Sequence, residues 1–207
     1  MGIQQKSDWY DKKYLEKQSE YDKHFSNCIY FPLWLCIMKR LSQKMKIIDL
    51  GCGVGQFAEM LHVHGFRNYT GIDFSEVAIN KAKSKNLKGY NFILQNITTE
   101  PLPEGDIYIA CEVLEHIEND IDIVRKIKWN TLLIASLPIF DYESHVRYFT
   151  SENEIIKRYE DYLDFRFLTM VGNYYWCFEA KRKLPIQETY QFSYPRKEYV
   201  FRDYVLI

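Results

Sequence analysis

The residues of this chain best suited to chemistry stand together in Asp49-Leu50-Gly51-Cys52-Gly53-Val54-Gly55. A short apolar run, Ile47-Ile48, leads into an acid and then into three glycines at alternate positions. Glycine has no Cβ, so the backbone can turn sharply there and lie directly against a ligand. A helical pattern follows at once, with Phe57, Leu61 and His64 on one face, so free amide N–H groups at its start face the bound molecule. This describes a nucleotide-type cofactor site at the end of a first strand. Gly53-Val54-Gly55-Gln56-Phe57-Ala58 also satisfies a dinucleotide fingerprint in form, but that register strands Asp49-Leu50-Gly51-Cys52 between the strand and its first glycine. Asp49 would repel the pyrophosphate of NAD or FAD, whereas the sulfonium and ammonium of S-adenosylmethionine are attracted to it. The sign of that charge favours S-adenosylmethionine.

Tyr69-Thr70-Gly71-Ile72-Asp73 reads as a second strand ending in an acid. Asp73 falls about 20 residues beyond the glycines, where a carboxylate accepts hydrogen bonds from ribose hydroxyls. Its plainer role would be to cap a helix starting near Ser75. Phe74 can cover a face of the adenine. With Asp49, Gly51, Gly53 and Gly55 in the pattern D-x-G-x-G-x-G, the chain resembles the class I S-adenosylmethionine-dependent methyltransferases. The resemblance spans roughly residues 46–180 and implies a Rossmann-like α/β fold. Its sheet would have seven strands, five parallel plus a C-terminal antiparallel hairpin, with helices on both faces. Such proteins often place an aspartate on the adenine amino group after the third strand. Here the stretch is Leu94-Gln95-Asn96-Ile97, so Asn96 and Ile97 are the expected adenine contacts.

A second constellation follows the fourth strand, Cys111-Glu112-Val113-Leu114-Glu115-His116-Ile117. If this turn is helical, Glu112, Glu115 and His116 share a face. The resemblance implies that the L-E-H-I stretch, with Cys111 and Glu112, lines the methionine half of the cofactor. Two carboxylates and an imidazole also suit a divalent cation. The small-RNA 2′-O-methyltransferases carry E-x-x-E-H here plus a later histidine, which would make Glu112, Glu115, His116 and His145 the ligands. A third role is a structural helix start. The leading expectation is that no metal is bound. His145 and His116 are the candidate bases, because imidazole titrates near neutrality, and Arg147 is placed to bind an anionic substrate group. Methyl transfer asks little more of side chains, since the sulfonium is already an activated electrophile. His24, His62 and His64 read as structural or exposed.

The elements that must position these groups are legible as runs. Strands are expected at 47–50, 69–72, 91–95, 107–111, 131–136, 165–171 and 174–180, with helix-period segments between the first five. Ile117, Ile121, Val124 and Ile127 share one helical face; Ser151 and Glu154 form a capping-box pair; Gly172-Asn173 suits a hairpin turn. Residues 1–45 read as helical with a break at Pro32, and the family resemblance implies that they close over the cofactor, with Tyr14 and Tyr21 on the substrate side. A C-terminal extension, 181–207, alternates Tyr190, Phe192 and Tyr194 beside Arg196 and Lys197, as an edge strand, a dimer contact or a nucleic acid-binding surface would.

Length and composition set the outer bounds. A chain of 207 residues suits one domain over 1–207. Lys plus Arg (27) nearly balance Asp plus Glu (28), so no overall field draws it to nucleic acid or membranes. Its longest apolar run is too short to span a bilayer. Five cysteines without a C-x-x-C pair fit a reducing cytoplasm. The expected function is methyl transfer from S-adenosylmethionine to a small-molecule, lipid-like or sugar acceptor. A metal-dependent RNA 2′-O-methyltransferase is the runner-up. A regulatory subunit that binds the cofactor without catalysis is the alternative of another class. Oligomeric state stays open.

Overall fold

A computed structural model describes residues 2–17 and 19–184. Its centre is a seven-stranded sheet: β1 (Ile47–Leu50), β2 (Tyr69–Asp73), β3 (Tyr90–Leu94), β4 (Ile107–Ala110), β5 (Leu132–Pro138), β6 (Leu163–Val171) and β7 (Tyr175–Arg182). The spatial order is β3-β2-β1-β4-β5-β7-β6. The first five strands pair in parallel, and β7 enters antiparallel between β5 and β6. This is the expected α/β arrangement. Gly172 and Asn173 both take φ of +61°, the left-handed conformation that a type I′ hairpin turn needs. Tyr190, Phe192, Tyr194, Arg196 and Lys197 lie outside the described residues.

Six helices accompany the strands: α1 (Ser7–Leu15), α2 (Phe31–Met38), α3 (Gln56–Val63), α4 (Glu76–Ser84), α5 (Asp120–Lys126) and α6 (Glu152–Tyr159). Alternate residues of each buried strand feed opposite faces, as the two-residue period requires. Ile48 and Leu50 of β1 meet Ile123 and Val124 of α5 and Ile155 and Tyr159 of α6 on one face. On the other, Ile47 meets Trp34 and Ile37 of α2 and Phe57 and Leu61 of α3. Both cores are therefore continuous with the strands that end at the glycines and the acids.

Several local expectations shift. Pro32 does not break a helix; it sits in the first turn of α2, where its missing N–H costs nothing. The stretch before α2 is α1 followed by two short 3₁₀ turns, Glu20–Asp22 and Phe25–Asn27, instead of one long amphipathic helix. Ile117 lies ahead of α5, so the expected four-residue face is shared between a turn and a helix. In α6 the Ser151 hydroxyl accepts from the Glu154 N–H at 3.4 Å, but the Glu154 carboxylate reaches back one residue further, to the Thr150 N–H at 2.8 Å.

The loops around the sheet's carboxyl end are tied by one buried acid. Asp120 is fully buried and accepts from Arg158 Nε at 2.9 Å and from the Tyr159 hydroxyl at 2.6 Å. Arg147 approaches it at 3.3 Å. Removing the carboxylate would leave two guanidinium groups facing a buried site with no counter-charge. Asp120→Ala is expected to cost about 3–5 kcal/mol in urea unfolding. Lys128→Ala, in an exposed pair 3.7 Å from Glu104, should leave the urea midpoint unchanged.

Candidate cofactor and acceptor site

Between β1 and α3 the backbone turns at Gly51, Gly53 and Gly55, with φ of +73°, +53° and +77°. Two of these positions also need the space. A Cβ on Gly51 would stand 2.6 Å from Val113 Cγ2, and one on Gly55 would stand 3.0 Å from the Ala82 Cβ of α4. The turn is held from below by Asp73 at the end of β2. Its carboxylate accepts from the Gly53 N–H and the Ser75 N–H, each at 2.9 Å. The cap of α4 is Ser75 itself, which accepts from Ala78 N–H at 3.0 Å, so Asp73 is not the helix cap. Burial pushes the Asp73 carboxyl up to about 6, against the lowering effect of those backbone donors.

Two adjoining hollows open over this turn, of about 110 and 100 Å³. They share Tyr10, Tyr14, Gly51 and Glu112. The first is walled by Asp73, Phe74, Asn96, Ile97 and His116. The second is walled by Asp49, Cys52, Gly53, Cys111 and Tyr21. The expected cofactor residues thus gather around one divided space, with Gly55 just beneath it as the residue preceding α3. Asn96 keeps its side-chain oxygen on Thr98, accepting from the N–H at 2.9 Å and the hydroxyl at 2.7 Å.

Asp49 is 3% exposed and lines the second hollow. Its hydrogen-bond donor is the Tyr69 hydroxyl, at 2.5 Å. Burial holds its carboxyl up at about 7, with the Asp73 charge adding to the rise and the Tyr69 bond opposing it. A cation arriving in the hollow would be drawn to this carboxyl and would favour its ionised form.

After β4 the chain departs from the helical expectation. Glu112 has φ of +57°, and only Leu114–His116 form a 3₁₀ turn. Glu112 is therefore swung away from Glu115 and His116 towards β5. Its N–H donates to Ser136 Oγ at 2.9 Å, and the Ser136 hydroxyl donates to Glu112 Oε1 at 2.7 Å. Burial raises the Glu112 carboxyl to about 8. Cys111, 3.7 Å from Ser136 Oγ, has its thiol pushed well up by burial.

Glu115, His116 and His145 do converge, their ligand atoms within 4.8 Å of one another. Glu112 is not in this group. Glu115 is fully buried and neither carboxyl oxygen has a hydrogen-bond partner. The His116 Nδ1 faces the Ser144 carbonyl at 2.9 Å and the His145 Nδ1 faces the Phe140 carbonyl at 3.1 Å. Each imidazole thereby donates Nδ1–H to backbone and keeps a lone pair on Nε2. Burial lowers His116 to about 4 and lowers His145 too, so both rings are neutral at pH 7. The 3.5 Å approach of His116 to Glu115 is accordingly a contact with a neutral ring, not an ion pair. His116 walls the first hollow, whereas His145 stands behind it, ring centroids 4.9 Å apart.

Arg147 does not face the hollows. Its guanidinium donates to the carbonyls of Leu114 and Ile117 at 2.6 Å and of Glu118 at 2.8 Å, besides approaching Asp120. Both Nη1 hydrogens are taken by carbonyls, and the guanidinium ties the loop carrying His145 to the turn carrying His116. His64 is exposed, its Nδ1 on the Met60 carbonyl at 2.8 Å, rather than on the buried face with Phe57 and Leu61.

The N-terminal segment roofs both hollows. Tyr14 is buried, and its hydroxyl lies 3.5 Å from where a Gly53 Cβ would stand. Tyr10 touches both walls, its ring 5.3 Å from Phe74 and 5.9 Å from His116. Three residues outside the roof, Ser75, Lys81 and Gln56, tie it to the domain beneath. Asp11 accepts from the Ser75 hydroxyl, Lys81 Nζ donates to the Tyr14 carbonyl at 2.5 Å, and Gln56 Nε2 donates to the carbonyls of Glu20 at 2.9 Å and Lys23 at 2.7 Å. No sequence motif points to Tyr10. The roles of Gln56 and Ser136 had no signal, since each is a lone polar residue in an apolar neighbourhood.

A glycine turn under an acidic β2 end, in a sheet of this order, defines a methyltransferase-type Rossmann-like domain. Residues 41–133 match the family described as a methyltransferase domain. That match covers just under half of the chain and marks a methyltransferase domain within it. It is 36% identical over 104 residues to the ubiquinone biosynthesis O-methyltransferase of Rickettsia canadensis (strain McKiel), covering 45% of this chain and 42% of that protein. The chain thus spans about two-fifths of the length of such curated relatives. Its fold is similar to that of a Burkholderia thailandensis 1,6-didemethyltoxoflavin-N1-methyltransferase solved with its substrate and S-adenosylhomocysteine. That likeness has a TM-score of 0.68 at 13% identity, over 86% of this chain and 87% of that one. It is also similar to the [4+2]-cyclase SpnF, with a TM-score of 0.61 at 14% identity, over 73% and 81% of the two chains.

The residues present fit the family's cofactor. A buried carboxyl whose hydrogen-bond donor is a tyrosine hydroxyl lines one hollow, a glycine with no room for a Cβ lies where the two meet, and a carboxylate and an aromatic ring wall the other. A pH dependence follows from Asp49. Below about 7 its carboxyl is protonated in the free protein, and binding a cation must expel that proton. Affinity for S-adenosylmethionine should therefore rise about tenfold from pH 6 to pH 8. Titration calorimetry checks this. In Asp49→Asn most of this rise should disappear.

Proposed function

We propose that this chain, acting as a single domain, transfers the methyl group of S-adenosylmethionine to a small-molecule, lipid-like or sugar acceptor. The observation that carries the reading is the junction of the two hollows at Gly51 and Glu112, with Asp49 buried beside it. The cofactor, when bound, supplies an activated methyl on a sulfonium. The rest is positioning, and effective molarities for well-held reactants reach about 10⁵–10⁸ M. Asp49 and the glycine turn would hold the methionine end, Asp73 the ribose, and Phe74 with Asn96-Ile97 the adenine. Tyr14, Tyr21, Tyr30 and Trp34 line the side left for the acceptor and suit a flat or apolar molecule. The Rickettsia relative's name, an O-methyltransferase of ubiquinone biosynthesis, supports an acceptor of that kind. If the acceptor is a hydroxyl, neutral His116 is the base nearer to hand, with His145 behind it as a relay. A cytoplasmic location goes with this reading, and no helix among the described residues is long and apolar enough to cross a membrane.

The direct test is methyl-labelled S-adenosylmethionine with an extract of the source cells, the label then being fractionated. Label should enter a small-molecule or lipid fraction and should drop at least tenfold with Asp73→Ala. Label in RNA would move the acceptor to the runner-up reading. Cofactor binding with no transfer to any fraction would favour a regulatory protein.

One observation favours a second element in the same reading. Glu115 has two unpartnered oxygens in a buried site, beside two imidazoles whose Nε2 lone pairs are free. A buried carboxyl with no partner is expensive to keep. Glu115, His116 and His145 would hold a divalent cation that polarises an acceptor hydroxyl. Mn²⁺ or Zn²⁺ added to chelator-treated protein should raise the melting temperature, and Glu115→Ala should abolish the rise. A melting temperature indifferent to these ions and to Mg²⁺, with turnover unchanged by chelator, removes the metal and leaves His116 as base.

A further inference from the structure

The wall between Asn96 and Glu100 is shaped by a residue that does not itself face the cofactor hollows. Lys126, the last residue of α5, directs Nζ at three backbone carbonyls: Ile97 at 2.6 Å, Thr98 at 2.9 Å and Glu100 at 2.9 Å. A lysine ammonium has three donors and no acceptor, so this one is saturated by a single loop. Three carbonyl dipoles converging on one point repel each other unless a cation stands among them. We propose that Lys126 is a positioning residue of the cofactor site, its ammonium fixing residues 96–100 in the conformation that forms the adenine-side wall. This rests on the cofactor reading of the first hollow.

The platform and the loop are both built for that role. Ile123 and Val124 bury α5 against the sheet, and Arg182 Nε donates to the Val124 carbonyl at 3.0 Å. Apart from Lys126, the Asn96–Thr98 rim takes its side-chain bonds from within the loop. Asn96 Oδ1 accepts from Thr98, and the Asn96 N–H donates to Glu100 Oε1 at 2.9 Å. Ile97 packs into the core beneath, and the Gln95 N–H donates to the Asp73 carbonyl at 2.9 Å. Lys126 thus sets where the Asn96–Thr98 rim stands relative to Asp73 and Phe74, the groups across the hollow from it.

The test compares the full-length protein with Lys126→Met and Lys126→Arg, using S-adenosylhomocysteine in titration calorimetry and hydrogen exchange of the peptide covering 95–101. Lys126→Met should weaken binding about tenfold, or ~1.4 kcal/mol, and speed exchange at residues 97–100 in the ligand-free protein. Lys126→Arg keeps the charge and should bind within about threefold of the parent. In the labelled-methyl assay KM for S-adenosylmethionine should rise in the same proportion with kcat unchanged. If Lys126→Met does not fold, Lys126→Gln is read by the same two measurements and should show the same direction of change. A folded variant without the ammonium that binds S-adenosylhomocysteine within twofold of the parent overturns the proposal, whatever its melting temperature. If the parent itself fails to bind, the cofactor reading falls and this inference falls with it.

Discussion

The reversal of winding at β1 is the constraint on which the site depends. From β1 the chain builds outward through β2 and β3, then returns to place β4 on the other side of β1. The connections leaving β1 and β4 therefore diverge, and the carboxyl ends of those two strands flank a crevice that helices do not fill. Backbone from both strands bends to form its floor. Gly51, Gly53 and Gly55 do so without a Cβ, and Glu112 does so at φ of +57° despite having one. A non-glycine residue in that region costs about 1–3 kcal/mol and persists only where its surroundings insist on it. Ser136 of β5 supplies that insistence by bonding both the N–H and the carboxyl of Glu112. Strain at the floor is thus balanced by β5, the strand next to β4.

The roof is coupled to the floor by bonds from residues that follow the cofactor motifs. Gln56 comes directly after the glycine turn and Ser75 shortly after Asp73, and each holds a separate part of the N-terminal segment. Tyr14 closes the middle through van der Waals contact above Gly53. Movement of the roof would therefore be felt at both motifs, and occupancy of the hollows would be felt by the roof. The aromatic rings also keep water away from the crevice, which strengthens every charge interaction inside it.

The strands were legible because burial on both faces demands long apolar runs, and Ile47-Ile48 or Leu132–Ser136 have few other uses. The glycine turn and the acid ending β2 were legible because charge and glycine spacing carry chemistry directly. The turn after β4 was not. Glu112, Glu115 and His116 have helical spacing, but the Ser136 bonds that pull Glu112 out of register come from a residue 24 positions away. Arg147 misled for a similar reason, since an arginine beside a histidine reads as a substrate contact until the four carbonyl and carboxyl oxygens around it are seen. Non-local partners decide such residues, and one-dimensional spacing cannot register them.

Four acids crowd the carboxyl end of this sheet, and burial raises the carboxyl of each: Asp49, Asp73, Glu112 and Glu115. An acid whose folded value lies above its unfolded one contributes stability that is lost as pH rises through that interval. The ligand-free domain should thus be destabilised progressively from acid towards neutral pH by groups that serve no packing purpose. The same groups become favourable once positive charge arrives, because the Coulomb attraction grows as water is excluded. Binding of a cation then returns stability in proportion to how far its concentration exceeds its Kd. Lower stability without ligand and its recovery on binding are then two consequences of the same four carboxyl groups. Asp49 faces the hollow that a sulfonium and an ammonium would fill, while Glu115, without a hydrogen-bond partner, stands beside His116 and His145 and lines neither hollow. The positive charge of the cofactor would thus answer Asp49 and leave Glu115 apart from it.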